Sequence, residues 1–240
     1  MKPWNRREVL AAVAALGFVP ASAMGERSVM LSKKIPSSGE ALPVIGLGTY
    51  SVFDVSGTPD EIATRKDIVA RLTGAGGSLI DTSPMYNRSE KVIGDVIDAG
   101  VDRNDLFLAT KVWTDGAEAG AAQMQRSADL MRTRVIDLMQ VHNLRDTDAH
   151  MRTIRAWQEE ERIRFSGLTH YTAGAHEALT REMSTFAPQF IQINYSLGER
   201  EAEDRVLPMA QDLGIAVLIN RPFQAGRLCR AVAGRDLPDF

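Results

Sequence analysis

Leu106-Phe107-Leu108-Ala109-Thr110-Lys111-Val112, then Ala117 to Met131, then Ile136-Asp137-Leu138-Met139-Gln140-Val141-His142: an apolar run, a helical stretch and a second apolar run follow in close succession. Each run has the length of a strand buried on both faces, and the segment between them is too long for a hairpin loop. Strand, helix, strand is a βαβ unit, whose strands are parallel. Further runs of the same kind lie on either side: Val44 to Gly48, Ser78 to Thr82, Arg164 to Thr169, Phe190 to Tyr195 and Ala216 to Arg221. Helical patterns separate them at Ser89 to Ile97, Asp148 to Glu161, Ala173 to Met183 and Glu201 to Leu213. Another helix opens with Thr58-Pro59-Asp60-Glu61, a capping box with proline at its first position, and closes on Gly74, Gly76 and Gly77. The unit repeats evenly with no second domain. That regularity, and the polar residues at strand ends described below, favour an α/β (β/α)8 barrel over an open doubly wound sheet. Ahead of the first run, Val29-Met30-Leu31 and the stretch around Ile35 flank Pro36-Ser37-Ser38-Gly39, which reads as an N-terminal β-hairpin.

The totals agree with a single barrel-sized domain. The chain has 240 residues, 44% of them hydrophobic and 25% charged, with a net charge of -3. Nothing in that balance suggests nucleic acid or an anionic membrane surface as a partner. The single cysteine, Cys229, excludes an intrachain disulfide and a zinc site built on several thiolates, and no metal site is expected. The first residues read differently from the rest. Arg6-Arg7 precede a short apolar run from Leu10 to Val19, and Ala21-Ser22-Ala23 has the A-x-A form of a cleavage site. These are the parts of a twin-arginine-type export signal covering residues 1-23, which leaves a barrel domain over 24-240. The apolar run is about half the ~20 residues that a membrane span needs, so no stable span is expected once the signal is removed. The expected location is the periplasm, or the cytoplasm if the signal is not used.

The chemistry-bearing residues stand at strand ends. Asp81 finishes one run, Lys111 lies near the end of the next and His142 ends the third, while Tyr86 lies in the loop just beyond Asp81. C-terminal ends of adjacent parallel strands converge on one mouth. A tyrosine is a weak acid with an ordinary pKa of about 10, and a lysine cation beside it would favour its ionised form. Asp81 can pair with Lys111 and aim it, and His142 can hydrogen-bond a carbonyl oxygen or Tyr86. The four together would form a proton-donating site for a carbonyl that receives hydride. A lysine at a barrel strand end also admits Schiff-base chemistry of the aldolase kind, although Asp81 as its partner argues for a protonated amine.

Asp81-Thr82-Ser83-Pro84-Met85-Tyr86 followed by Ser89-Glu90 resembles the D-T-A-x-x-Y-x-x-S/N-E signature of the aldo/keto reductase family. Thr110-Lys111-Val112-Trp113 resembles that family's T-K-V segment, Leu138 to His142 its D-L-x-x-x-H strand, and Ile45-Gly46-Leu47-Gly48-Thr49-Tyr50 its I-G-L-G-T-W/F opening. The resemblance runs from about Val29 to Leu228. It implies an NAD(P)H-dependent oxidoreductase that reduces a small carbonyl substrate, with NADPH as cofactor and NADH as the alternative. It also implies that Tyr86 is the general acid, tuned by Lys111 and Asp81, while His142 orients the carbonyl. Gly48 and Thr49 would lie under the nicotinamide, and Gln192, Thr169 and His170 would hold its carboxamide. Tyr50, Met85 and Trp113 would line the substrate pocket, and the hairpin would plug the bottom of the barrel.

The chain departs from the family pattern in three places. Thr169-His170 stand where the family has Ser-Asn. Asn220-Arg221 stand where it often has Tyr-Ser, so the aromatic residue that stacks on the nicotinamide is replaced by Asn220. Arg221 is placed to bind the pyrophosphate, its alternative being a salt bridge with a neighbouring acid. Finally, the sequence after Leu228 shows no seventh helix, eighth strand or eighth helix. The expected barrel is therefore incomplete, with about seven strands and an open edge on the first and the last. A catalytically weak or regulatory relative is the alternative that this departure raises, and no oligomeric state follows from the sequence.

Overall fold

The computed structural model describes residues 30-235. The export-type segment assigned to residues 1-23 lies outside the described residues. The described residues open with a hairpin, β1 (Ser32–Lys34) paired antiparallel with β2 (Ala41–Pro43). The Ile35 N–H donates to Glu40 O at 2.8 Å and the Gly39 N–H to Ile35 O at 2.8 Å. Gly39 has φ +75°, a value that suits a residue without Cβ. The turn is where the proline and glycine placed it, and among the described residues the paired arm starts at Ser32, with Leu31 O accepting the Val44 N–H at 2.9 Å just before it.

Seven parallel strands follow in sequence order: β3 (Leu47–Gly48), β4 (Leu79–Asp81), β5 (Phe107–Val112), β6 (Ile136–His142), β7 (Ile163–Thr169), β8 (Phe190–Asn194) and β9 (Ala216–Asn220). Between them run α1 (Pro59–Gly74), α2 (Ser89–Asp98), α3 (Ala117–Leu130), α4 (Thr147–Glu159), α5 (His176–Phe186) and α6 (Val206–Asp212). Two expected elements are shorter than the sequence suggested. β3 has two paired residues, Leu47 and Gly48, opposite Ile80 and Asp81 of β4. The stretch before α6 is a 3-10 turn over Glu201–Glu203. One element was not expected: Arg227–Val232 forms a short helix, α7, after β9.

Why the sheet curls is visible in its two apolar faces. Outward residues such as Ile80, Leu108, Met139, Val141, Leu168, Ile191 and Ile193 pack under the helices. Inward residues Leu79, Phe107, Leu138, Phe165 and Phe190 form a second cluster with Ile35 and Leu42 of the hairpin. The Phe107, Phe165 and Phe190 rings, from β5, β7 and β8, lie within 5.5 to 6.1 Å of one another, and a flat sheet could not bring three such strands together. Most of these inward residues open their strands, so the hairpin closes the N-terminal end of the barrel, as the family resemblance implied. The opposite end is left to polar groups. Among the described residues β3 and β9 are the two edges, and no pairing joins them. This is the incomplete α/β barrel that the pattern of units predicted.

Candidate active site

Alternation along the strands carries the inner face from phenylalanine at the bottom to polar groups at the top. Leu79 and Asp81 share one face of β4, Phe107, Ala109 and Lys111 one face of β5, and Leu138, Gln140 and His142 one face of β6. Parallel registry then sets these groups side by side, with Gly48 opposite Asp81, Lys111 opposite Gln140, His142 opposite Thr169 and Asn194 opposite Asn220.

The centre is an ion pair. Lys111 is 1% exposed, and its Nζ lies 2.9 Å from each Asp81 carboxylate oxygen and 2.6 Å from Thr82 O. An ammonium has three N–H donors, and these three acceptors use them all. Such an amine is a poor nucleophile, which argues against the Schiff-base reading. Gln140 Nε2 donates to Asp81 Oδ1 at 3.3 Å. Sequence reading passed over Gln140, although it lies two residues before His142 on the same strand and therefore on the same face. Gly167 makes room for it: a Cβ there would lie 2.9 Å from Gln140 Cγ.

Tyr86 stands over this pair, with Lys111 Nζ 5.2 Å from its ring centroid. Tyr50 meets it edge-on at 5.2 Å, and the His142 ring lies perpendicular at 6.3 Å. The expectation that Lys111 would lower the tyrosine pKa is not met. Burial holds the Tyr86 hydroxyl well above its ordinary value, and the charge of Asp81 and the proximity of Tyr50 push the same way; Arg221 is the cation that opposes them. The physical reason is that Lys111 faces a carboxylate at 2.9 Å, so its field at the phenol is largely cancelled. His142 is pushed down to about 3, first by burial and then by Lys111 and His170, so its imidazole is neutral at ordinary pH. The loop that bears Tyr86 is pinned at several points. Ser83 Oγ contacts His142 Nδ1 at 3.2 Å, Asn87 Nδ2 donates to Asp54 at 2.7 Å, and Glu90 accepts from the Thr110 hydroxyl at 2.6 Å.

The other predicted positions fall around the same mouth. At Gly48 the space that a Cβ would take is open. Thr49 is fully buried, and both its N–H and its hydroxyl donate to Asp81 O, so its side chain ties β3 to β4 and is not free for a ligand. Thr169 donates its hydroxyl to Gln192 Oε1 at 3.1 Å, which leaves the Gln192 amide hydrogens to point elsewhere. His170 accepts at Nδ1 from the backbone N–H groups of Tyr171 and Thr172, which puts its ring donor on Nε2 when neutral. Asn194 and Asn220 each bury an Oδ1 that has no hydrogen-bond partner among the described residues, and the same holds for Gln140 Oε1. Buried orphaned acceptors call for donors, and a primary carboxamide entering the mouth has two N–H groups to offer, enough for two of the three. Arg221 forms no ion pair among the described residues and lies over the Tyr171 ring at 4.8 Å; the salt-bridge alternative is therefore not what the structure contains. Tyr50 and Met85 are exposed at the rim. Trp113 is half-buried, and Arg145, held by Asp115 at 2.6 and 2.8 Å, covers its ring at 4.3 Å.

The comparisons with known proteins agree with this fold. The sequence model of the Aldo/keto reductase family matches residues 44–237. An aldo-keto reductase of Bacillus subtilis is 31% identical over 218 residues, covering 82% of this chain and 62% of that protein. One from a Mycobacterium species is 27% identical over 200 residues, covering 80% of this chain and 68% of that one. Among solved structures, an aldo-keto reductase from Klebsiella pneumoniae in complex with NADPH shares the fold with a TM-score of 0.71 at 24% identity, over 86% of this chain and 74% of its own. The chain thus spans less than two thirds of the length of the Bacillus relative.

Proposed function

The chain belongs to the aldo/keto reductase family, and from that membership we propose that it reduces a small aldehyde or ketone, with NADPH as hydride source and Tyr86 as proton donor. NADH is the alternative donor. The observation that carries the reading is the convergence of Asp81, Lys111 and His142, from three neighbouring strands, on the ring of Tyr86 at one mouth of the barrel.

When bound, the nicotinamide cofactor supplies the hydride. Gln192, Thr169, His170 and Asn220 would hold its carboxamide, Gly48 gives the space beneath its ring, and Arg221 would reach its pyrophosphate with a planar guanidinium that fits phosphate oxygens. The Klebsiella family member solved with NADPH is consistent with that choice. A carbonyl oxygen that becomes an alkoxide is a stronger base than a phenolate. Proton transfer from Tyr86 therefore runs downhill even though burial holds its pKa high. A neutral His142 can donate one hydrogen bond to the same oxygen, and the Asp81–Lys111 pair fixes the floor on which both donors stand. Tyr50, Met85 and Trp113 would line the pocket that selects the substrate.

The test is tryptophan fluorescence of the full chain titrated with NADPH and with NADH, followed by a screen of aldehydes and ketones. Saturable quenching and turnover that falls by about 10²–10⁴-fold in Tyr86→Phe support the reading. Turnover unchanged in Tyr86→Phe would assign the proton elsewhere. Loss of Arg221 in Arg221→Leu should raise the NADPH dissociation constant with little change in kcat, and an unaltered affinity removes Arg221 from the cofactor site. Export to the periplasm is proposed from the twin-arginine-type opening of the sequence, and fractionation of the host cell for the protein decides it.

A further inference from the structure

The catalytic imidazole needs its proton on a particular nitrogen, and one buried hydroxyl decides which. His142 closes β6 and is 8% exposed, while Ser83 is fully buried in the loop that leads to Tyr86. Ser83 Oγ lies 3.2 Å from His142 Nδ1. It accepts the Met85 backbone N–H at 3.2 Å, and the Ser83 carbonyl accepts the Tyr86 N–H at 2.9 Å. A serine hydroxyl has one proton and two lone pairs. Met85 takes one lone pair, so the proton is left to place. Among the described residues, His142 Nδ1 is the one acceptor in reach of it.

We propose that Ser83 is a positioning residue that holds His142 as the Nε2–H tautomer by donating its hydroxyl proton to Nδ1. The opposite tautomer fails twice. A protonated Nδ1 would donate to Ser83 Oγ and leave the serine proton buried with no acceptor, at the full desolvation cost of that group. Nε2 would then present a lone pair to the carbonyl oxygen, where repulsion replaces a hydrogen bond. With Nδ1 occupied, Nε2–H is free to donate. The same residue also sets the loop of the proton donor through Met85 and Tyr86, so one side chain keeps the two donors in register. The part played by the Nε2 proton in turnover rests on the carbonyl-reductase reading above; the tautomer itself does not.

The measurement is 15N–1H long-range NMR of the full chain labelled in histidine. The chain has four histidines, and His142→Gln assigns the signal of interest by its disappearance. Wild type is expected to show a pyridine-type Nδ1 and a pyrrole-type Nε2 for His142 at neutral pH. Ser83→Ala should mix or reverse the tautomers and lower kcat about tenfold or more, with the KM for NADPH unchanged. Ser83→Thr, which keeps the hydroxyl, should restore both the tautomer and the rate. A pyrrole-type Nδ1 in wild type, or a His142 tautomer indifferent to Ser83→Ala, overturns the proposal. The expected tautomers in a wild-type chain that reduces no carbonyl would uphold the Ser83 assignment and defeat the reductase reading instead.

Discussion

A phenol and an imidazole, both kept neutral by burial, are the two donors proposed at the mouth of this barrel, and their titration should be readable in solution. His142 has a folded pKa of about 3 against an ordinary 6.5. The unfolded chain therefore binds more protons than the folded one between those values. The sign follows directly: this residue's contribution is intact above pH 6.5 and is lost as pH falls toward 3, with a slope of at most about 1.4 kcal/mol per pH unit. Denaturant unfolding of wild type and His142→Gln between pH 7 and 4 checks this. Wild type should lose stability faster than the variant, and parallel curves would contradict the burial that places the shift. The Asp81–Lys111 pair gives a second prediction. Removing one partner leaves a nearly buried charge alone, so Lys111→Met should cost about 3–5 kcal/mol, whereas Lys111→Met with Asp81→Leu should recover a large part of it. Urea midpoints of the two variants decide the matter. A loss in the double variant as large as in the single one would mean that packing, and not the pair, is what Lys111 supplies.

Helices α1 and α2 hold the loops that carry these residues, and each has one feature on which its placement turns. At the start of α1, Thr58 accepts from the Glu61 N–H at 3.4 Å while the Glu61 carboxylate receives the N–H groups of Gly57 and Thr58, both at 2.9 Å. Thr58→Ala removes one half of the box and should lower stability by about 1 kcal/mol, seen as a shift in the thermal midpoint. α2 follows Tyr86 directly and packs closely against the end of α3. A Cβ at Gly94 would lie 2.0 Å from the carbonyl oxygen of Leu130, which is backbone and cannot turn aside. Gly94→Ala must therefore push the helices apart, at a cost of about 1–3 kcal/mol. Because α2 also anchors Glu90 on Thr110, a loss of turnover is expected with it. A variant as stable as wild type would show that the two helices can slide without strain.

The molecule as a whole is a barrel whose protection is uneven. β5, β6 and β8 are buried along their whole length and paired on both sides, while β9 is half-buried and, among the described residues, paired only with β8. Ile219 and Phe223 are exposed near that edge, at 39% and 59%. Hydrogen exchange should be slowest in β5 and β6 and markedly faster in β9, since an edge strand can open without disturbing the rest. Equal protection in β9 would show that something covers the edge in solution. Asn220 and Arg221 belong to β9 and its end, so NADPH should slow exchange there if they hold the cofactor as proposed.

By itself the sequence determined the order of units and the strand ends at which Asp81, Lys111 and His142 stand, while the inward face of each strand came from the structure. The order and the strand ends are local properties: a short apolar run and a helical stretch between two such runs are written in neighbouring residues. The capping box of α1 and the turn of the hairpin were legible for the same reason. What the tertiary structure decided was how the groups meet. Lys111 gives all its donors to Asp81 and Thr82, burial holds the pKa of Tyr86 high and that of His142 low, Thr49 is committed to Asp81, and Arg221 rests on Tyr171 instead of an acid. Ser83 and Gln140 joined the site only when their partners, each 59 residues away in sequence, came within hydrogen-bonding distance. Such contacts depend on positions to a few tenths of an ångström, and desolvation depends on every element packed around a group. Neither is encoded in any short stretch of the chain, so the identity of the residues was readable in the sequence while their charge states and partners had to wait for the fold.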